Sequence, residues 1–111
     1  MASPMADSDT LARLEAVIAA RRGADPDSSY VARLNARGVR KIAQKLGEEA
    51  TETIIAALAE DRAALVGEAA DLLFHVLVLL GAKDVPLADV LAELDRREGT
   101  SGIAEKASRK S

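Results

Sequence analysis

Five acidic side chains fall into two clusters whose spacing suits helical surfaces. The first cluster is Glu48-Glu49-x-x-Glu52, and the second is Glu68-x-x-Asp71. Side chains three or four residues apart lie on the same face of an α-helix, so the acids of each cluster share a face. If the two faces meet, these carboxylates can hold a hard cation such as Mg²⁺ or Mn²⁺, which prefers oxygen ligands.

Metal binding competes with a plainer interpretation, in which the acids form a solvated helix face. Two carboxylates about 5 Å apart repel each other by roughly 3 kcal/mol at an effective dielectric constant near 20, so a convergent cluster needs cations. Lys41 and Lys45 supply positive charge, although both also suit i, i+4 partners on their own helix. Glu68 and Asp71 favour the functional interpretation, because they interrupt an otherwise apolar segment and unpaired charges are rarely buried. We therefore predict metal-assisted attack of water on a polyphosphate.

Other catalytic arrangements do not fit the sequence. A di-iron carboxylate bundle uses two Glu-x-x-His motifs, whereas the chain has a single histidine, His75, and neither motif. It has no glycine-rich phosphate-binding loop and no Ser/His/Asp set. His75 follows Asp71 by one turn, so it can hydrogen bond to that carboxylate or serve as a structural histidine. Ser29 and Tyr30 are most simply a helix cap and a core residue, with ligand binding as the alternative.

The composition predicts one all-α domain. The chain has 111 residues, of which 49% are hydrophobic, but only Tyr30 and Phe74 are aromatic. The core must therefore be aliphatic, and the abundant Ala, Leu, Glu, Arg and Lys are good helix formers. A compact domain of this length has a radius of gyration of about 13 Å.

Charge and targeting features limit the cellular setting. The net charge of −3 gives no basic surface that would displace counterions from nucleic acid. The absence of cysteine fits a reducing compartment. The N-terminal MASPMADSDT has no apolar signal-peptide region, and an uninterrupted apolar run such as Val76–Leu80 is too short to span a bilayer. We therefore expect a cytoplasmic protein that binds neither nucleic acid nor membrane.

The apolar pattern predicts a bundle of about five helices in a single domain at residues 9–98. Residues 1–8 are predicted to be disordered, and residues 99–111 to form a flexible or short-helical tail. The predicted helices run from a Ser8 or Asp9 cap to about Arg22, from an Asp27 or Ser28 cap to about Gly38, from about Val39 to Glu60, from an Asp61 cap to about Gly81, and onward from Pro86.

The fourth predicted helix is apolar around nearly its whole circumference, so we expect it to be the central, buried helix. The third has an apolar face that includes Ile42 and Ile54, and the fifth turns Leu91 and Leu94 inward. Gly47 interrupts the third helix at a cost of about 1 kcal/mol relative to alanine. A glycine there allows a neighbouring helix or a ligand to approach closely.

The carboxylate pattern gives the chain a family resemblance. Glu-x-x-Glu, a gap of 15 residues and Glu-x-x-Asp resemble the all-α nucleoside-triphosphate pyrophosphatase (MazG-like) superfamily. More narrowly, the chain is similar to the phosphoribosyl-ATP pyrophosphatases of histidine biosynthesis. This narrower resemblance covers roughly residues 10 to 110 and rests on three segments in order: SSYVARLNARGVRKIAQKLGEEATETIIAA, GEAADLLFHVLVLL and SGIAEKASR.

The resemblance implies an activity and a set of site residues. The activity is Mg²⁺-dependent hydrolysis of 1-(5-phosphoribosyl)-ATP to 1-(5-phosphoribosyl)-AMP and pyrophosphate, with Mn²⁺ as an alternative cation. Such enzymes form tight dimers with the active site near the subunit interface, so a homodimer or a higher homo-oligomer is expected. The acids that match the superfamily's metal ligands are Glu49, Glu52, Glu68 and Asp71.

Three further residues have expected roles. Glu48 matches the extra acid of the fuller motif, as a metal ligand, as a residue behind the ligands or as the base that orients water. With the four metal ligands it completes the predicted catalytic set. Lys41 and Lys45 lie where basic residues can meet the phosphates of the substrate.

Two other functions stay open. A house-cleaning pyrophosphatase that acts on aberrant nucleotides would use the same carboxylates, so only its substrates would distinguish it. A helical dimerisation module without chemistry would show no Mg²⁺-dependent rise in melting temperature, because only a ligand that binds the folded state stabilises it.

Overall fold

The computed structural model describes the backbone of residues 4–98 and the side chains of residues 10–98. Within this part of the chain, five α-helices and no strand are present, which confirms the all-α prediction. The predicted tail at residues 99–111 and residues 1–3 lie outside the described part. The helices are α1 (Pro4–Arg21), α2 (Tyr30–Arg37), α3 (Val39–Ala59), α4 (Arg62–Ala82) and α5 (Leu87–Arg97).

The first helix begins earlier than the sequence pattern predicts. α1 starts at Pro4, several residues before the predicted Ser8 or Asp9 cap and inside the segment predicted to be disordered. Proline suits the first helical position, because its fixed φ is helical and an N–H there would have no partner within the helix. Met5 and Ala6, which follow it, are compatible with continued helix.

Local hydrogen bonds set the limits of α2. The Ser29 hydroxyl accepts a hydrogen bond from the N–H of Ala32 at 3.2 Å. The N-cap is therefore Ser29, which confirms the helix-cap interpretation of this residue, whereas the other two predicted caps, Asp27 and Ser28, lie before the helix. At the other end, Gly38 has a φ of 94°, in the region that favours glycine. This residue separates α2 from α3, and its N–H donates back into the last turn of α2.

α3 and α4 form an antiparallel pair with a very short connection. Asp61 caps α4 as predicted, since its carboxylate accepts a hydrogen bond from the N–H of Ala64 at 2.9 Å. Across the pair, the Thr53 hydroxyl lies 2.8 Å from the carbonyl oxygen of Glu49 and 3.2 Å from that of Glu68. This contact places the polar stripes of α3 and α4 side by side.

The core lies where α1, α2 and the start of α5 pack against the C-terminal half of α4 and the N-terminal half of α3. Its members are aliphatic, as the scarcity of aromatic residues predicts, and Ile42 and Val78 are completely buried. The buried cluster consists of Ile18, Val31, Leu34, Ile42, Leu77, Val78 and Leu87.

The prediction that α4 is buried around its circumference is wrong for a single chain. Only His75, Leu77 and Val78 of α4 are buried, whereas half or more of Val66 and Leu73 is exposed. The reason is that α1 and α2 cover only one end of the α3–α4 pair. The radius of gyration is accordingly 16.2 Å, larger than the roughly 13 Å expected of a compact domain.

The inward faces predicted for α3 and α5 are also only partly correct. Ile42 is buried, but Ile54, on the same predicted face of α3, is largely exposed. In α5 only Leu87 is buried, while Leu91 and Leu94 are exposed. These side chains lie beyond the reach of the core, because no other described helix packs over them.

α4 is long and apolar enough to cross a membrane, judged by its 21 residues and composition alone. Because acids and a histidine interrupt it, its longest uninterrupted apolar run did not reveal this property. Asp71 lies near the middle of α4, where a bilayer would impose a cost of about 2.5–3.5 kcal/mol on a carboxylate. We therefore interpret α4 as a helix of the bundle.

Candidate active site

The polar stripes of α3 and α4 meet at a cluster of carboxylates. One oxygen each from Glu49, Glu68 and Asp71 lies within 4.8 Å of the other two. Oxygens that bind one cation at about 2.0–2.6 Å cannot be more than about 5 Å apart, so this spacing allows a shared ion. Glu49 belongs to α3 and the other two acids to α4, so the antiparallel pairing creates the cluster.

Glu52, the fourth predicted ligand, lies at the edge of this cluster. Its carboxyl group is within hydrogen-bonding reach of the carboxyl groups of Glu49 and Glu68. Two carboxyl groups can hydrogen bond only if they share a proton. The structure therefore brings three of the four predicted ligands into one cluster with Glu52 beside it, in an arrangement whose mutual repulsion a cation or a proton must offset.

The surroundings of Glu49 and Glu68 disfavour their charged forms. Burial raises the pKa of Glu49, and the hydrogen bond and the charge of Glu52 raise it further. Burial also raises the pKa of Glu68, followed by the charges of Glu52 and Asp71. At neutral pH these two carboxylates are therefore held in an unfavourable state unless a positive charge lies between them.

One atom of the cluster points directly to a missing partner. Glu49 is only 9% exposed, and its Oε2 atom has no hydrogen-bond partner among the described residues. Leaving a buried acceptor unsatisfied costs about 1–3 kcal/mol, so such atoms are rare in folded proteins. The donor set consists entirely of oxygens, which is the set that Mg²⁺ and Mn²⁺ prefer. The residues of this site therefore fit a divalent cation of that kind.

Glu48 lies outside the carboxylate cluster. Its carboxylate accepts hydrogen bonds from Gln44 Nε2 at 2.9 Å and from Lys45 Nζ at 3.2 Å. These bonds, with that from Gln44 as the larger cause, hold the pKa of Glu48 below its usual value. The hydrogen bond to Glu48 also raises the pKa of Lys45. Glu48 is thus an ionised carboxylate beside the cluster, available to water.

His75 is buried and connects α4 to Tyr30. Its Nδ1 lies 2.7 Å from the backbone carbonyl oxygen of Asp71, and its Nε2 lies 2.8 Å from the Tyr30 hydroxyl. A carbonyl oxygen only accepts, so Nδ1 carries a proton, and neutral His75 accepts the Tyr30 O–H at Nε2. Of the two sequence interpretations, the structural histidine is the one observed, because the bond goes to the main chain of Asp71 and not to its carboxylate.

Two residues of the site were not recognised from the sequence. The hydroxyl of Thr53 lies within hydrogen-bond distance of the carbonyl oxygens of Glu49, in its own helix, and of Glu68, so its single proton can be donated across to the α4 backbone beside an acid. Its position four residues after Glu49, on the same helical stripe, was the available signal. Tyr30 was assigned to the core, but its exposed ring packs on Phe74 while its hydroxyl bonds to His75.

A basic groove adjoins the carboxylate cluster. It has a volume of about 250 Å³ and lies between α2 and α3, where the predicted phosphate-binding residues Lys41 and Lys45 contribute to its wall. Arg33 and Arg37 were missed, although Arg33, Arg37, Lys41 and Lys45 recur every four residues in the sequence. Its complete lining is Tyr30, Arg33, Leu34, Arg37, Lys41 and Lys45.

Gly47 lines a second groove, of about 470 Å³, along α3. A Cβ atom added at Gly47 would meet nothing within 4 Å among the described residues outside its own helical turn. No neighbouring helix among the described residues therefore uses this approach. The groove is lined by Gln44, Gly47, Glu48, Thr51 and Glu52, so two of the predicted catalytic acids face it.

A third, largely apolar cavity of about 400 Å³ lies away from the acids, between α1, α4 and the segment before α5. Its charged residues are already engaged. The Glu15 carboxylate accepts a hydrogen bond from the N–H of Leu87 at 2.8 Å, and Arg22 pairs with Asp84 at 3.3 Å. We attribute these contacts to packing and capping rather than to chemistry.

An all-α bundle in which one antiparallel helix pair presents three convergent acids beside a basic groove fits the MazG-like class of pyrophosphatases. Comparison with known proteins identifies the family within that class. Residues 11–98 match the model of the phosphoribosyl-ATP pyrophosphohydrolase family, and the chain belongs to this family. The resemblance noted in the sequence is thereby confirmed.

Relatives with high sequence identity agree with this assignment. The chain is 73% identical to the phosphoribosyl-ATP pyrophosphatase of Novosphingobium aromaticivorans over 95% of its length and 98% of the relative. Identity is 71% to the protein of the same name from Rhizorhabdus wittichii, over 90% of this chain and 94% of the relative. The chain is 70% identical to the phosphoribosyl-ATP pyrophosphatase of Erythrobacter litoralis, over 91% of this chain and 97% of the relative. The chain is therefore an enzyme of the hydrolase class.

Proposed function

We propose that the enzyme hydrolyses 1-(5-phosphoribosyl)-ATP to 1-(5-phosphoribosyl)-AMP and pyrophosphate, the second step of histidine biosynthesis, with Mg²⁺ as cofactor. Two observations on the same group carry this proposal: Glu49, Glu68 and Asp71 converge, and the buried Oε2 of Glu49 has no hydrogen-bond partner among the described residues. The names of the relatives support the choice of substrate. Metal-assisted hydrolysis of a phosphoanhydride is the chemistry that such a cluster serves.

Four acids would hold the metal, and the surrounding residues keep them in place. When bound, Mg²⁺ or Mn²⁺ supplies positive charge that offsets the charge of the triphosphate and polarises its oxygens. The Thr53 hydroxyl keeps the backbones of α3 and α4 together at the site, and the bond from His75 fixes the Asp71 carbonyl. The proposed metal-binding residues are Glu49, Glu52, Glu68 and Asp71.

Glu48 and the two lysines would act on water and on phosphate. Because Glu48 is ionised and exposed, it can accept a proton from a water molecule that attacks at the α–β linkage. A role as a metal ligand or in orienting one is the alternative. Lys41 and Lys45 line the adjacent groove, where their ammonium groups can donate to phosphate oxygens and offset their charge.

We further propose that the enzyme works in the cytoplasm as a homodimer or a larger homo-oligomer, without nucleic-acid or membrane partners. Ile54, Leu58 and Val66 lie at one end of the α3–α4 pair, where a single chain leaves them exposed. A second copy that packs there would remove this apolar surface from water. The overall negative charge supports the absence of nucleic acid.

Pyrophosphate release from 1-(5-phosphoribosyl)-ATP tests the proposal. The wild type should release pyrophosphate with Mg²⁺ and not with excess chelator. Glu68→Gln and Asp71→Asn should keep the helical circular dichroism and lose about 100-fold or more in kcat/KM, as expected when a group that stabilises transition-state charge is removed. Asp95→Asn, which alters an exposed acid on α5, is the matched control.

Three outcomes would contradict the proposal in different ways. Full activity of both site variants would show that these acids are not the catalytic centre. Faster turnover of dUTP or another free nucleoside triphosphate than of 1-(5-phosphoribosyl)-ATP would instead favour a house-cleaning pyrophosphatase. No Mg²⁺-dependent rise in melting temperature, together with no activity, would leave a dimerisation module.

A further inference from the structure

The basic groove between α2 and α3 contains more positive charge than the chain itself neutralises. Among residues 10–98, neither Arg37 nor Lys41 has a carboxylate oxygen within 4 Å, and only Lys45 is paired, with Glu48 at 3.2 Å. Arg33 uses its Nε to donate to the carbonyl oxygen of Pro26 at 3.2 Å, and its terminal nitrogens have no partner among the same residues. Like charges one turn apart on a helix repel, so this groove favours an anionic ligand.

One end of the groove is connected to the carboxylate cluster through hydrogen bonds, and the other end lies further along α2. Tyr30 lines the groove, while its hydroxyl bonds to His75, whose own ring is bonded to the Asp71 carbonyl. The charge of Lys45 lowers the pKa of Tyr30, against a larger rise caused by burial, so Lys45 lies beside Tyr30 at this end. An α-helix rises about 1.5 Å per residue, which puts Arg37 about 10 Å further along α2.

The volume of the groove suits one end of a ligand. Binding sites for whole small molecules usually measure about 300–1,000 Å³, whereas this groove measures about 250 Å³. A ligand that places its triphosphate at the acids would therefore reach the groove with a different part. For that part to be held by two arginines and a lysine, it must carry a negative charge of its own.

We infer that the groove binds the phosphate of the N1-phosphoribosyl group, and that Arg33 and Arg37 determine specificity for a substrate with this second phosphate. This inference rests on the proposed function. The planar guanidinium groups of Arg33 and Arg37 suit a terminal phosphate, because each can donate two parallel hydrogen bonds to its oxygens. An ordinary nucleoside triphosphate has no group to place there. Lys41 and Lys45 lie on the side of the groove formed by α3.

Two ligands that differ in the second phosphoribosyl group test this inference by titration calorimetry. 1-(5-phosphoribosyl)-AMP carries that group, and AMP does not. The wild type should bind 1-(5-phosphoribosyl)-AMP at least tenfold more tightly than AMP, since charge-assisted hydrogen bonds to phosphate are among the stronger ones. Arg37→Ala should reduce this preference about tenfold while leaving the affinity for AMP unchanged.

Further variants separate recognition from folding. Arg37→Lys keeps the charge but loses the fork of donors, so it should retain part of the preference. Arg33→Ala should act in the same direction as Arg37→Ala. Arg40→Ala, which removes an exposed arginine of α3 outside the groove, should leave both affinities unchanged. Thermal melting of each variant shows that the fold is intact.

Three results would overturn the inference. The first is equal affinity of the wild type for both ligands. The second is an Arg37→Ala variant that keeps the full preference. The third is an Arg37→Ala variant whose affinity for AMP falls as much as its affinity for 1-(5-phosphoribosyl)-AMP. The last result would place the triphosphate end in the groove. Failure of the wild type to release pyrophosphate would refute the proposed function instead, because the preference between the two ligands is measured without turnover.

Discussion

The two ends of the α3–α4 pair differ in how completely a single chain covers them. Where α1 and α2 pack, Ile42 on α3 and Val78 on α4 are both 0% exposed. Near the α3–α4 connection, Ile54 is 59% exposed and Leu58 is 83% exposed. The carboxylate cluster lies between these two ends. One side of the site is therefore supported by a closed hydrophobic core, and the other side is not.

This difference shows that burial depends on neighbouring elements as much as on residue type. The same aliphatic residue types are buried in the core at one end and exposed at the other, because only the first end has other helices to pack against. A group of large apolar side chains exposed on one surface usually marks an interaction site. The acid at the middle of α4 disfavours a bilayer as the covering element, so we propose a second copy of the chain.

The largest expected effect compares two isoleucines of α3. Ile42→Ala should lower the free energy of unfolding by about 2–5 kcal/mol, because it leaves a cavity in a closed core. Ile54→Ala should cost about 0.5 kcal/mol or less in dilute protein, where the side chain faces water. Urea denaturation at two protein concentrations measures both. The loss for Ile54→Ala should grow with concentration if a second copy covers it, and an equal loss at both positions in dilute protein would refute the comparison.

The next effect concerns association. Leu58→Asp places a charge at the most exposed leucine of the open end and should weaken self-association by about 2 kcal/mol or more, roughly 30-fold in Kd. The helical circular dichroism of the dilute protein should not change. Ala88→Asp, on an exposed position of α5, is the control. Analytical ultracentrifugation decides the matter, and an unchanged oligomer for Leu58→Asp would place the interface elsewhere.

A third effect is lost at low pH and is opposed by metal. Glu49→Gln should stabilise the metal-free protein at pH 7 by about 1–3 kcal/mol, because it removes a buried charge and gives the site a donor. Burial raises the pKa of Glu49 above its ordinary value of 4.5, so the folded protein binds this proton more tightly than the unfolded chain. Wild-type stability therefore falls as the pH rises through the raised pKa, and the advantage of the variant disappears below about pH 4.5.

Magnesium provides the counter-test for this prediction. The wild type should gain stability with added Mg²⁺, while Glu49→Gln should gain much less, since binding to the folded state alone stabilises it. Melting curves with and without Mg²⁺, at pH 7 and near pH 4, provide all four comparisons. If the metal-free variant is less stable than the wild type at pH 7, Glu49 has a partner in solution that the described residues do not supply.

The local features of this fold were predictable because their causes lie within a few residues. The cap at Asp61 and the shared faces of Glu49 with Glu52 and of Glu68 with Asp71 follow from helical spacing alone. The convergence of the two faces depends on how α3 and α4 pack. The sequence could only suggest this packing, through the apolar residues that surround the acids of α4.

What the sequence did not reveal depends on contacts between helices. The groove arginines were overlooked because Arg33 and Arg37 precede Gly38, and their approach to Lys41 requires α2 and α3 to pack together. The burial of α4 was overestimated for a related reason. Periodicity shows which residues are apolar, but it does not show how much of a helix its neighbours cover.

The smallest expected effect concerns the two glycines inside the helix pair. At neither Gly47 of α3 nor Gly67 of α4 would an added Cβ meet anything within 4 Å among the described residues outside its own helical turn. Alanine should therefore stabilise each helix by up to about 1 kcal/mol through its higher helix propensity. Urea denaturation of dilute Gly47→Ala and Gly67→Ala measures this gain, and a loss at either position would show that the backbone there is not an ordinary helix.

Comparing the Gly47→Ala and Gly67→Ala variants also tests which surface of the assembled enzyme is open. Gly47 lines the groove that Glu48 and Glu52 face, so a substrate or a second copy that closes on it would meet the new methyl group. Gly47→Ala should then be more stable as a dilute chain yet weaker in kcat/KM or in self-association. Because the methyl group is the same in both variants, a defect confined to Gly47→Ala locates the contact on the acid-bearing face of α3. Equal behaviour of the two would show that this groove stays in water during catalysis.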